Sequence, residues 1–498
     1  MSPTTGVWML LCVALGIVLT GLPAWVVLIG IAGAFAAVGS ALGAIPATLL
    51  MALPGRIVGL LEHDLLQALP LYVLLGVLLN RLPLADVLYR VGVACLGRRA
   101  AAPRIAGLGL GMVLAPMNGS IGASVSMLHR TVLPRLEAAG VPEVRATALV
   151  AAASTLGIVV PPSLVLILLG DAMMRAHTEA VNATHAAVRI LNTQDVFRAA
   201  LPAAGLFLLL AIVIAAWPAR GEPRVAVTPA TTMRERVVAA LALLLIVALL
   251  VSVALGYLYA VEGAATGGAV LVLYGALSGT LTRIVFAQVL RETLALTGAL
   301  FALLLAANVF TLVMRMYGTD RWVAALLGDP ALPATTVLAA VLGVLAVSSL
   351  VLDAFEILFV IVPIVAPPLL MKVPDAAWVS VLFLLILQAG FLVPPLGYAL
   401  MMLQTLRGRP VPQAALARAV MPWLLAQGVV LAAVLGWPAL TTVLRAPLEA
   451  APAADMQDGA AAILQQTAPQ ADPEVPDIPP PDDSPPIIPP PDGAGPAR

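Results

Sequence analysis

The chain is predicted to be an all-α polytopic membrane protein built from two copies of one helical unit, each interrupted by a broken helix. Three observations predict this. Hydrophobic residues make up 61% of the 498 residues and charged ones only 10%, whereas soluble domains carry about 25% charged residues. Long apolar runs recur along the whole length, many exceeding the ~20 residues that cross a bilayer and lacking the polar alternation of a membrane barrel. A Gly-x-x-Val-Pro-Pro pattern occurs twice, each time inside such a run.

Apolar spans fall near residues 7–42, 65–80, 83–97, 105–133, 144–173, 199–217, 236–256, 264–281, 290–316, 333–371, 376–404 and 420–445. Several are too long for one crossing and hold Gly or Pro at their centres, so ten to twelve crossings with broken or re-entrant pieces are expected. The start, "MSPTTGVWMLLCVALGIVLTGLPAWVVLIG", lacks a positive leader region and reads as a retained transmembrane segment. Residues 1–217 form the first half, 218–236 a basic connector, 237–447 the second half and 448–498 a Pro-rich acidic tail. The tail composition predicts disorder with a polyproline II bias.

The formal charge is zero, but residues 451–498 hold eight of the 26 acidic residues and one of the 26 basic ones. The rest of the chain is therefore basic, as loops facing a negative cytoplasmic leaflet are. The connector, with Arg220, Arg224, Arg234 and Arg236, is expected to be cytoplasmic, and Arg98, Arg99 and Arg104 to anchor a loop on that side. No basic stripe with interleaved aromatics points to nucleic acid. Cys12 and Cys95 read as buried small hydrophobes.

The two Pro-Pro motifs belong to a longer repeat. Gly157, Val160, Pro161 and Pro162 recur 233 residues later as Gly390, Val393, Pro394 and Pro395. Pro134 maps onto Pro367 by the same offset, and Ser120 onto Asp353. After the breaks the offset falls to 220, with Leu201-Pro202 matching Met421-Pro422 and Trp217-Pro218 matching Trp437-Pro438. An insertion in the polar segment 171–199 accounts for the change. The spans leave open whether each half has an odd number of crossings, which would invert one repeat relative to the other.

Proline removes a backbone donor and clashes with the preceding turn. A helix broken in this way exposes carbonyls and N–H groups at membrane depth, tolerated only where they line a cavity or bind something. Duplicated halves with matching breaks point to a secondary-transporter site at the repeat interface. Carbonyls with Ser or Asp oxygens suit a hard cation such as Na⁺, and helix N-termini suit an anion.

With the motifs "ALPLYVLLGVLLNR" (68–81), "APMNGSIGAS" (115–124), "ASTLGIVVPPSLVLILLGD" (153–171), "GYLYAVEGAATGGAVLVLYG" (256–275), "VLDAFEILFVIVPIVAPPL" (351–369) and "GFLVPPLGYAL" (390–400), the chain resembles the large membrane subunit of tripartite ATP-independent periplasmic (TRAP) transporters from about residue 15 to 445. The resemblance implies an elevator-type ion-transporter architecture with two re-entrant hairpins, in a multi-pass protein of the bacterial inner membrane. It implies Na⁺-coupled import of an organic acid, with a periplasmic substrate-binding protein and a small four-helix membrane subunit as partners. By position, Asn118, Gly119 and Ser120 would form the first hairpin tip, and Ser154, Thr155, Gly157 and Pro161 would complete a Na⁺ site with it. Asp353, Gly390, Val393 and Pro394 would form the second Na⁺ site. The substrate would lie between Asn118, Gly119, Ser120, Pro162, Asp353 and Pro395. Val393 stands where the family usually has threonine, and Val261-Glu262-Gly263 where it has Thr-Glu-Ala. A self-sufficient dicarboxylate, citrate or oxyanion carrier without a binding protein is the alternative.

Asp353 and Glu356 are the only ionisable residues in the stretch 331–371, and an acid at that depth is a functional candidate. Glu356 divides evenly between that role and an interfacial one. Glu262 reads as a charge at a helix N-terminus, the Gly107, Gly109 and Gly111 series as close helix packing, and His177 and His185 as residues of a surface loop. Nothing in the sequence supplies a catalytic set or a cofactor loop.

Overall fold

The computed structural model describes residues 4–43, 53–61, 64–185, 191–217, 229–408 and 411–444. The expected tail and residues 218–228 of the expected connector lie outside them. Among the described residues all regular structure is helical. The first half runs α1 (Thr5–Thr20), α2 (Ala24–Ala41), α3 (Leu53–Leu61), α4 (Asp64–Arg81), α5 (Leu84–Leu96), α6 (Ala102–Leu114), α7 (Ile121–Thr131), α8 (Leu133–Ala138), α9 (Glu143–Val159), α10 (Leu164–Thr184) and α11 (Thr193–Ala216). The second runs α12 (Met233–Leu255), α13 (Ala260–Leu277), α14 (Arg283–Met316), α15 (Thr319–Gly328), α16 (Ala334–Ser348), the single turn α17 (Ala354–Glu356), α18 (Val362–Lys372), α19 (Ala376–Gly390), α20 (Tyr398–Arg407) and α21 (Gln413–Gly436). A π-helical turn, Ile357–Ile361, joins α17 to α18.

The repeat is visible helix by helix. Shifted by 233, α7 and α9 begin at the first residues of α17 and α19; shifted by 220, α11 takes the bounds of α21. Each half therefore holds a hairpin, a broken helix and a closing helix at matching positions. Among the described residues eight helices are long and apolar enough to span a bilayer, or nine with the bent pair Ala68–Arg81 and Leu84–Leu96, when α9 and α10 count as one broken span.

Packing separates a centre from a periphery. Across α9 and α10, 94% of the apolar window is buried, against 28% in α12 and 22% in α2. α9 packs on α6, α7, α19 and α21, and α10 on α18, so the two broken helices and two hairpins form one core. Around it α2 packs on α14, α13 on α4, and α12 on α5. The outer helices keep apolar residues exposed, such as Leu244, Leu273 and Leu294, because their solvent is lipid and their backbone bonds close within the helix.

Two long-range hydrogen bonds fix the direction of the repeats. Arg145, at the start of α9, donates Nη2 to the Trp217 carbonyl after α11 (3.3 Å). Its counterpart 233 residues on, Trp378 at the start of α19, donates Nε1 to Val434 near the end of α21 (2.8 Å). Arg407, ending α20 just before α21 begins, pairs with Glu143 at the start of α9. The end of α11 and the start of α21 thus share one side of the core, so these corresponding helices run oppositely and the repeats are inverted. That side also carries Arg98 and Arg99, and Arg90 pairs there with Glu235 (2.6 Å). The positive-inside rule makes it cytoplasmic.

Several expectations are corrected. Cys12 and Cys95 are exposed, not buried, since an apolar run in a membrane protein does not say which face meets lipid. His177 is buried within α10 and not in a surface loop, because the polar insert lengthens that helix to 21 residues against 10 in α20; the Asp171–Arg175 pair (2.6 Å) lies along it. His185 is exposed at its end. Arg104 is buried in the first turn of α6, not in a loop, while Arg234 and Arg236 sit in the first turns of α12, capped by Thr232 and Glu235.

Arg407 ties the halves together. Its side chain is only 8% exposed; it pairs with Glu137 (2.9 Å) and Glu143 and donates Nη1 to Thr147 Oγ1 (2.7 Å). Its carboxylate partners are partly solvated, which limits the effect of removing it. Arg407→Ala is expected to cost about 1–3 kcal/mol, read as a lower melting temperature of the purified protein. Arg130→Ala, at a site bonded only to the Ser126 carbonyl of its own helix, should leave melting near wild type.

Candidate functional site

The first hairpin turns at Pro116–Asn118, a single 3-10 turn, followed by Gly119 with φ +73°. A side chain would strain that left-handed backbone. Ser120 then caps α7, its Oγ accepting from the Ala123 N–H (3.1 Å). Ser124 braces the tip by donating towards the carbonyls of Ser120 (3.1 Å) and Ala115 (3.3 Å). Asn118 Nδ2 donates to Ser124 Oγ (3.3 Å), but Asn118 Oδ1 is buried with no hydrogen-bond partner.

The first broken helix lies directly on this tip. A Cβ on Gly157 would sit 2.6 Å from the Ala115 carbonyl oxygen, and one on Gly111 2.8 Å from that of Ala153. Only glycine permits the approach. Ser154 and Thr155 are fully buried and donate their hydroxyl protons to the helix carbonyls of Ala151 (2.7 Å) and Ala152 (2.9 Å). With its proton committed, each hydroxyl presents only acceptor lone pairs to its surroundings. Gly119, Ser120, Ser124, Ser154 and Gly157 line one small cavity with room for a single water-sized particle. α9 ends at Val159 before Pro161-Pro162, and Ser163 restarts the chain by capping α10, accepting from Leu166 N–H (3.1 Å).

The second hairpin has the same layout with different chemistry. Its tip follows α16, and Asp353 opens α17 with its backbone N–H donating to Glu356 Oε2 (3.1 Å). Asp353 Oδ1 is buried without a partner, as Asn118 Oδ1 is at the first tip. A Cβ on Gly390 would lie 2.6 Å from Ser349 Cβ, so α19 touches its hairpin as α9 does. The break, residues 391–397, is held by Gly397 N–H to the Val393 carbonyl (2.7 Å) and Ala399 N–H to that of Phe391 (3.2 Å).

The first tip meets the second broken helix across the core. A Cβ on Gly122, in the first turn of α7, would be 3.2 Å from both Tyr398 Oη and Met402 Sδ of α20. Tyr398 also lies within electrostatic reach of Asp353 and Glu356, and its ring meets Phe391 edge-on at 6.3 Å. The segments 115–124, 153–166, 349–357 and 388–400 contain no lysine or arginine. The only formal charges they bring are the two carboxylates.

The structure gathers Gly119, Ser120, Ser154 and Gly157 around one cavity, with Asn118 buried in the same tip and Thr155 in the same helix. Pro161 is buried at the break, but Pro162 lines a different, apolar cavity with Tyr72, Met117 and Val253, facing the outer helices. Gly390 packs on Ser349, at the end of α16 that leads into the second tip, while Val393 and Pro394 are half-buried and Pro395 is exposed. Glu262 caps α13 by accepting from Tyr259 N–H (2.9 Å), which is the helix-terminal role expected of it. Sequence reasoning missed Tyr398 and Gln388. Gln388 is fully buried with neither amide atom bonded, and the 233-residue offset that pairs the breaks places it opposite Thr155.

Gly157→Ala is expected to overpack the contact with the Ala115 carbonyl and cost about 1–3 kcal/mol. Gly109→Ala, on the same hairpin with nothing within 4 Å of the added Cβ, should leave melting unchanged or raised, as alanine favours the helix. Comparison of the two melting curves checks this.

Comparisons with known proteins agree with this architecture. The family described as "Tripartite ATP-independent periplasmic transporter, DctM component" matches residues 7–440. The C4-dicarboxylate TRAP transporter large permease protein DctM of Pseudomonas aeruginosa is 24% identical over 391 residues, covering 77% of this chain and 86% of that protein. The crystal structure of the Alcanivorax borkumensis YdaH transporter superposes with a TM-score of 0.52 at 17% identity, over 80% of this chain and 90% of that one, which supports the fold. The family match spans both hairpins and both broken helices, and the chain belongs to the DctM family of TRAP transporter large permeases, multi-pass proteins of the inner membrane.

Proposed function

We propose that the chain is the transport subunit of a Na⁺-driven importer of an organic acid, with C4-dicarboxylates the first class to test because the Pseudomonas relative is named for them. In this reading it works with a small four-helix membrane subunit and a periplasmic substrate-binding protein, the assembly its family implies in general. One observation carries the proposal: each hairpin tip buries an acceptor oxygen without a partner, Asn118 Oδ1 and Asp353 Oδ1, and the tip and break segments bring no basic side chain.

A dicarboxylate brought beside Asp353 and Glu356 meets like charge and no fixed cation. Two bound Na⁺ ions resolve this. One is held at the first tip by Ser120, Ser154, Thr155 and the backbone near Asn118, Gly119, Gly157 and Pro161. The other is held by Asp353 and the backbone of Gly390, Val393 and Pro394, without the side-chain oxygen a threonine at 393 would bring. A cation about 4 Å from a carboxylate contributes about 4 kcal/mol at an effective dielectric near 20. The helix N-termini at Ile121 and Ala354 add their partial positive charge to the anion site. In this reading Tyr398, against the first tip, donates a hydrogen bond to the substrate. Ion and anion then bind as one set, and the core carries them past the outer helices as a body.

The test is uptake of labelled succinate, malate or fumarate by the reconstituted complex under an inward Na⁺ gradient, with K⁺ as control. Uptake should require Na⁺ and the binding protein, fall at least tenfold in Asp353→Asn, and need several-fold more Na⁺ in Ser120→Ala. Wild-type Na⁺ activation in Asp353→Asn would sink the second ion site. Full uptake without a binding protein would identify a self-sufficient carrier instead.

A further inference from the structure

Four charged side chains on the cytoplasmic side run in series from an outer helix to the core. Glu235, in the first turn of α12, pairs with Arg90 of α5 (2.6 Å). Arg90 pairs one turn back with Asp86 (3.2 Å), and Asp86 pairs with Arg135 of α8. α8 packs on α7 and α9, and so belongs to the core. α12 is one of the outer helices, and α5 lies between them, packed on α12 and on α6.

The series is assembled on one turn of α5. Asp86, Tyr89 and Arg90 stand at i, i+3 and i+4, which places them on one face of the helix. Arg135 is anchored by its own helix, with Nη1 donating to the Thr131 carbonyl (2.7 Å), and its guanidinium lies over the Tyr89 ring at 5.5 Å. Tyr89 in turn donates its hydroxyl proton to the Pro103 carbonyl at the start of α6 (3.3 Å). The four charged side chains are between 24% and 39% exposed. Each pair alone therefore contributes modestly, and it is as a network that they hold. Water is at hand to solvate the groups when a link opens, unlike the buried guanidinium of Arg407, whose separation would strand a charge.

Only one half of the molecule can build this series. Shifted by 233, α5 falls on α15 and α8 falls within α18, and these two helices also pack together. The positions related to Asp86, Arg90 and Arg135 are Thr319, Val323 and Pro368, which cannot form ion pairs. There Lys372, ending α18, instead donates to backbone carbonyls after α15, that of Leu332 among them (2.7 Å). The two ends of the core are thus held to their surroundings by different chemistry.

We infer that the series Glu235–Arg90–Asp86–Arg135 is a latch that ties the core to the outer helices on the cytoplasmic side and favours the position seen here. The inference rests on the proposed reading in which the core moves past the outer helices as a body. Whether α5 then stays with α12 or travels with the core, one link must open. Because the links are in series, cutting either end releases the core to the same degree, and cutting both adds nothing.

The test uses the full-length chain in lipid nanodiscs without Na⁺ or substrate, so a failure of the ion-coupled reading would leave its result standing. Spin labels at Arg130→Cys on α7 and Leu244→Cys on α12, both exposed, report the distance from core to outer helix by pulsed electron paramagnetic resonance. Cys12→Ser and Cys95→Ser remove the native thiols. Wild type should show one dominant distance. Arg135→Gln and Glu235→Gln should each raise a second population about threefold, within the range that one partly solvated pair supplies. Glutamine at 235 keeps the α12 cap. The double variant should match either single one. Arg135→Lys, which keeps the charge, should stay near wild type, and so should Arg98→Gln, which removes an exposed arginine on the same side. An unchanged distribution in either single variant overturns the inference. A shift of equal size in Arg98→Gln, or a double variant that moves well beyond either single one, overturns it as well.

Discussion

A helix broken at membrane depth must have its freed backbone groups covered, and the rest of this structure follows from how that is done. In each half a hairpin tip is pressed against the broken helix, so closely that only glycine fits at Gly157 and Gly390. The contact shields the break from lipid and places side-chain oxygens beside it. It also draws both broken helices into the centre, with the remaining helices acting as a lipid-facing collar. The inverted arrangement of the halves brings the first tip against the second broken helix, where Gly122 approaches Tyr398.

The charge pattern of the centre has a direct chemical consequence. Soluble anion sites commonly use arginine, but the tips and breaks here have none, and Asp353 and Glu356 make the region negative. An anion can be held there only when something else brings positive charge, and a mobile cation does so without leaving a fixed charge in the core. Under the proposed function, coupling would then be a property of electrostatics without a separate gate. The arginines are instead concentrated at the cytoplasmic helix ends, where Arg407 locks the halves together.

Much of this was legible in the sequence, because the repeat left paired marks. The 233- and 220-residue offsets located the hairpins, both breaks and the closing helices to within a few residues, and Ser120 and Asp353 do begin corresponding helices. Direction was not legible, since it rests on the contacts of Arg145 with Trp217 and Trp378 with Val434, far apart in sequence. Burial was also hidden: in a bilayer the outside is as apolar as the inside, which is why Cys12 and Cys95 were misplaced. Polarity misled in the other direction at His177, where a polar segment extends a packed helix. Pro162 shares its motif with Pro161 yet faces the outer helices, a difference of rotation that spacing alone cannot carry.

The central claim, that the paired breaks hold Na⁺, is tested most directly by melting the purified chain in NaCl against choline chloride at equal ionic strength. No substrate or partner is needed. A ligand that binds only the folded state at 100 times its dissociation constant adds about 2.7 kcal/mol. The account predicts a Na⁺-specific rise in melting temperature that shrinks when either tip loses its oxygen ligand. Identical melting in the two salts would contradict it.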